Sequence, residues 1–146
     1  LLAIGSEMLR GEILYRQANY DEAYAALRRA IKLEDNLPYD EPWGWMQPVR
    51  HALGALLLEQ GHTDEAEVVF REDLGLCGQL ARATVHPDNV WALKGLHDCL
   101  KARGETVEII QVRQRLDMAQ PRADGEFATS CFCAQAAMHT AEKPAG

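Results

Sequence analysis

Strand-forming residues are scarce in this sequence. Valine, isoleucine and threonine together number 17 against 39 alanine and leucine residues, which excludes an all-β fold and favours helices. Cysteine is sparse as well, four in 146 residues, below the density of a disulfide scaffold, so a reducing, cytoplasmic setting is expected. No long apolar run occurs: the most apolar stretch, residues 52–58, is hemmed by His51 and Glu59 and falls far short of the roughly 18 residues a membrane span requires. Positive charge is in deficit, with 15 Lys and Arg against 22 Asp and Glu for a net charge of −7. No basic cluster offsets that balance locally, which argues against nucleic acid as a partner. No basic segment precedes an apolar run at the start, so no signal peptide is expected, and Leu1 opens directly into a helical pattern, which implies an upstream neighbour. The composition, 47% hydrophobic and 25% charged, is that of a globular protein of one domain's length.

Against these absences stands an internal repeat. Segments 10–33 and 53–76 align at a spacing of 43 residues, pairing Gly11 with Gly54, Gln17 with Gln60, Asp21-Glu22-Ala23 with Asp64-Glu65-Ala66, and Leu33 with Leu76. A third, degenerate copy keeps the register, with Leu57 matching Leu100 and Gly61 matching Gly104. Each copy reads as two helices around a short turn. In the second copy Pro48 opens the first helix, Val49, Leu53, Leu56 and Leu57 recur at helical spacing, and Ala66, Val69, Phe70 and Leu74 form the stripe of the next. Asn19 with Glu22 has the spacing of a capping box, and Asp64 and Glu65 suit a helix N-terminus. The pattern predicts helices over 4–17, 20–34, 48–60, 63–74, 89–103 and 106–119. They group as a first hairpin (1–36), a Pro/Trp-rich loop (37–47), a second hairpin (48–76), a loop (77–87), a third hairpin (88–120) and an irregular tail (121–146), docked by Phe127 and Phe132.

Gly11, Tyr15, Tyr20, Ala23, Leu27 and Ala30 in copy one, and Gly54, Leu57, Ala66 and Phe70 in copy two, fill a pattern that resembles the tetratricopeptide repeat (TPR). The period of 43 exceeds the 34 usual for that family, and Asp73 replaces its late small residue. The stretch from Tyr39 to Gly61, with the later Ser130-Cys-Phe-Cys133, is also similar to the C-terminal part of longer microbial TPR proteins. The resemblance implies an all-α fold of three antiparallel helix pairs stacked as a right-handed superhelix, with long inter-repeat loops that emerge on the same side. It also implies a concave groove lined by the first helix of each pair. Carried over position by position, the groove residues are Met8, Glu12, Tyr15 and Arg16; His51, Ala55, Leu58 and Glu59; and Trp91, Lys94, Asp98 and Lys101. Arg16 and Glu59 are expected to pair across adjacent helices. The positions at which some relatives carry Lys and Asn to clamp a C-terminal carboxylate hold Met8, His51, Lys94 and Glu12, Ala55, Asp98 here, so no such clamp is expected.

The implied function is a protein-interaction module that binds a peptide or protein partner in its groove, with no cofactor. No linked catalytic motif occurs, the five histidines are scattered, and no enzymatic activity is expected within these residues. The competing reading is the C-terminal segment of an enzyme or metalloprotein whose active site lies mainly upstream, completed by Tyr39, Trp43, Trp45 and the tail. Trp43 and Trp45 alternate along a proline-bounded segment and form an aromatic latch or, by the favoured reading, plug the wedge opened by the loop. Cys131 and Cys133 raise a metal or redox role, but they lack a second pair at ligand spacing, so no metal is expected.

Overall fold

A computed structural model describes residues 1–38, 44–123 and 128–134. Among the described residues six α-helices follow one another: α1 (Leu2–Arg16), α2 (Tyr20–Asp35), α3 (Val49–Glu59), α4 (Thr63–Asp73), α5 (Val90–Arg103) and α6 (Glu108–Ala119), with single 3₁₀ turns at Arg82–Thr84 and Gln120–Arg122, and residues 132–134 are helical as well. No strand occurs among the described residues. The ends of the six helices lie within two residues of the sequence prediction. The 3₁₀ turn at Arg82–Thr84 was not expected and gives one turn of structure to the 77–87 loop.

Three of the turns have a common construction. Ala18, Gly61 and Gly104 take left-handed backbone with φ of 61°, 80° and 72°. The N–H of the next residue (Asn19, His62, Glu105) then donates back to the carbonyl of Leu14, Leu57 or Leu100 at 3.0, 2.9 and 2.9 Å. Both sets recur every 43 residues, and this bond satisfies a carbonyl the helix end would otherwise leave bare. The turn also corrects one expectation: Asn19 makes no side-chain cap. Its φ and ψ of −88° and 66° lie outside the extended conformation that aims a cap oxygen at the next turn. Asn89 does cap α5, its Oδ1 accepting from the N–H of Trp91 at 2.9 Å.

Contacts between opposite ends show how the helices run. Arg29, late in α2, bonds Glu7, early in α1, at 2.9 Å, while Tyr15 and Tyr20 meet at the turn with ring centroids 5.1 Å apart. Arg50, early in α3, is held by Asp35 at the end of α2 and by Glu72 late in α4. Arg103, late in α5, pairs with Glu67, early in α4, and Asp88, just before α5, pairs with Arg115, late in α6. Consecutive helices are therefore antiparallel neighbours, and α3 additionally touches α5.

Close approach depends on small residues. A Cβ added at Gly11 would lie 2.7 Å from Leu27 Cγ and 3.2 Å from the Ala23 carbonyl, and one at Gly54 would lie 2.5 Å from Phe70 Cζ. Phe70 is fully buried and also abuts Gly95 of α5, so one ring is the wedge among α3, α4 and α5. α3 is the central helix: Val49 through Leu57 are all buried, including Arg50 and His51.

Candidate functional site

α1, α3 and α5 share a face, and residues 129–134 lie across it. Arg16 at the end of α1 donates to the carbonyl of Cys133. Ala55, Leu58 and Glu59 of α3 and Asp98 of α5 surround Thr129, Ser130 and Ala134 around a cavity of about 210 Å³. Farther along, Pro48, His51 and Trp91 line a larger cavity of about 440 Å³ together with Cys131 and Phe132. Ser130, Cys131 and Ala134 are 3%, 4% and 7% exposed, so the segment is seated in the face. Phe132 remains 65% exposed, with its ring 4.9 Å from that of Trp91. The expected anchoring of the tail by its aromatics is thus corrected: small residues are buried, Phe132 rests on the surface, and Phe127 lies outside the described residues.

The expected wall residues divide into those that pack and those that face the segment. Met8 is buried in the core. Tyr15 is buried too, and its hydroxyl donates to Glu59 Oε2 and accepts from Gln60 Nε2, both at 2.8 Å. Tyr24 reaches the Leu56 carbonyl at 3.3 Å. Burial pushes the Tyr15 hydroxyl above its ordinary value of 10 and that of Tyr24 up to about 12. Glu59 therefore has Tyr15, and Arg16 has the Cys133 carbonyl; among the described residues the two form no pair with each other, because each has a nearer partner. Burial raises the Glu12 carboxyl above its usual range, with Arg16 opposing. Lys94 is paired with Asp98 one turn on, and Lys101 is exposed.

The histidines correct the sequence reading most. Asp73 is 1% exposed and accepts from His51 Nε2 and His86 Nδ1, each at 2.9 Å. Burial alone would raise this carboxyl, but the two imidazole hydrogen bonds outweigh it and hold Asp73 below its usual 3.8. His51 is consequently part of a buried polar cluster under the segment rather than a free groove residue. Beside it, Glu34 accepts from the Val49 N–H at 3.2 Å, and burial pushes its carboxyl up to about 7. Arg50, 4% exposed, is clamped by both oxygens of Asp35 at 2.6 and 2.8 Å. Asp73 was visible in the sequence only as a departure from the repeat, since its partners come from 13 and 22 residues away.

Trp45 packs on α1, where a Cβ added to Gly5 would come 3.0 Å from its ring, and its indole N–H is buried without a partner among the described residues. It shares a cavity of about 220 Å³ with Glu34, Thr84 and His86, so the two long loops meet there. Trp43, Tyr39 and His139 lie outside the described residues. Cys131 and Cys133 are paired as a disulfide. Among the described residues no group of three His, Cys, Asp or Glu could hold a metal ion, and no helix is long and apolar enough to cross a membrane. Compared with family models, with curated proteins and with solved structures, the chain matches none.

Proposed function

We propose that the chain is a TPR-like interaction module, three hairpins stacked as a right-handed superhelix, whose α1–α3–α5 face binds a short segment of a protein partner. The observation that carries this reading is the seating of residues 129–134 on that face, with Arg16 on a backbone carbonyl of the segment and Trp91 against its aromatic ring. A backbone contact of that kind is independent of the bound sequence, and an aromatic platform is a common anchor in recognition grooves. The recurrence of the left-handed turn every 43 residues, together with the glycine contacts at Gly11 and Gly54, supports the repeat reading.

The test is selection of linear peptides by display on the full chain carrying Cys131→Arg, which places a long cation at a buried position and clears the face. Peptides that bind this protein should lose binding to the same protein with Arg16→Ala and Trp91→Ala added, while its helicity and melting are retained. Failure to enrich any peptide above that counter-selected background would refute the reading. Enrichment that survives the two groove substitutions and is lost instead on Trp45→Ala would place the site at the inter-repeat loop.

A further inference from the structure

Residues 129–134 occupy the α1–α3–α5 face from within the chain. Ser130, Cys131 and Ala134 are the buried positions of the segment, and each carries a small side chain. Such residues let a backbone lie close against helices, as Arg16 donating to the Cys133 carbonyl requires. Phe132 is the one large residue of the segment, and it covers Trp91 while most of its own surface stays exposed. The cavity beside it, about 440 Å³ and walled by Met46, Pro48, His51 and Trp91, is lined but not filled by that ring. Two pairs of groups on the face are engaged within the chain, Lys94 with Asp98 and Glu59 with Tyr15, while Lys101 is exposed. Buried small side chains and one aromatic ring resting against Trp91 are what the segment presents to the face.

We propose that the partner is a peptide segment with one aromatic residue flanked by small residues, and that residues 129–134 are its intramolecular competitor, which the partner displaces. This rests on the groove reading above. A tethered segment has an effective concentration on the order of 1 mM, so it masks the face against free peptides of ordinary affinity. The partner binds more tightly than the tether because its aromatic side chain enters the cavity that Phe132 only borders.

Fluorescence anisotropy with a labelled, disulfide-closed peptide of residues 128–134 tests this on the full chain. Binding to the Cys131→Arg protein should be at least tenfold tighter than to the unaltered protein, and a probe with alanine at the Phe132 position should bind at least tenfold more weakly. Phe132→Ala in the protein, at an exposed position where folding is not threatened, should give the same unmasking in smaller degree. Equal affinity of the unaltered and both altered proteins, or equal affinity of the two probes, overturns the proposal. A probe that exchanges two copies into a dimer by size-exclusion chromatography, with no one-to-one complex, also overturns it, since the occupant would then be a second copy. Failure here is separable from failure of the groove reading: displayed peptides that depend on Arg16 and Trp91 but lack an aromatic residue would keep the groove and discard this ligand.

Discussion

Replacing Gly95 by alanine should lower the melting temperature although alanine is the better helix former. In the middle of a helix the exchange gains about 1 kcal/mol. Against that, the new Cβ would lie 2.2, 2.4 and 2.5 Å from three atoms of the Phe70 ring, far inside contact distance. The ring has little room to withdraw, because it lies close against Gly54 on the other side, where an added Cβ would also come 2.5 Å from Phe70 Cζ. Overpacking of a filled core costs about 1 to 3 kcal/mol, and three overlapping ring atoms with little room to retreat put this site at the upper end. The net loss is then about 2 kcal/mol, or roughly 4 to 8 °C for a chain of this size. Circular dichroism melts and urea midpoints measure it directly. Phe70→Leu removes the far edge of the ring, so in that background Gly95→Ala should cost less, with a coupling of about 1 to 2 kcal/mol. A Gly95→Ala protein that melts at or above the parent, or a double variant whose losses simply add, would refute the wedge.

Three further outcomes follow from the buried charges and the turns. The Glu34 carboxyl is pushed from 4.5 up to about 7, so the native state prefers its neutral form and stability falls as pH rises through that window; Glu34→Gln should stabilise on the order of 3 kcal/mol at pH 8 and very little at pH 4. Asp73 is displaced in the opposite direction, so its contribution is present above its usual range and is lost as pH falls through its lowered value; Asp73→Asn should cost about 3 kcal/mol at neutral pH, and urea titrations should show that difference shrinking as pH falls below the ordinary aspartate range. Ala18 holds φ of 61°, a conformation that costs a non-glycine residue about 1 to 2 kcal/mol, so Ala18→Gly should raise the melting temperature by about 1 to 3 °C.

The helices were legible because local signals agreed. Leu14, Leu57 and Leu100 recur at one spacing, and glycine at 61 and 104 announces a left-handed turn. Alanine at 18 carries no such announcement, so the common construction of the three turns emerged only from the backbone, where Ala18 is driven to positive φ by the bond from Asn19 to Leu14. The Asn19 cap failed for the same reason: a capping box describes side-chain spacing, while the turn had already committed Asn19's backbone. Gly95 stood unread within a helix, because its requirement is set by Phe70, 25 residues earlier, rather than by its neighbours.

The candidate site was legible on one side only. Repeat register placed Tyr15, Leu58, Glu59 and Trp91 on first helices, since those positions are fixed by helical period. It could not reveal which of them turn inward, and Tyr15 is drawn in by Glu59 and Gln60 across 44 and 45 residues. The occupant was hidden more deeply. Residues 128–134 have no period and are mostly small, and a stretch of that kind reads as coil because it has too little apolar surface to form a core of its own. On a preformed face the same property works in reverse. Ser130, Cys131 and Ala134 are small and buried, which lets the segment lie close to the helices, and Arg16 donates to the Cys133 carbonyl, 117 residues away. A large residue at any of these three positions should therefore unseat the segment, read as loss of the Phe132–Trp91 contact.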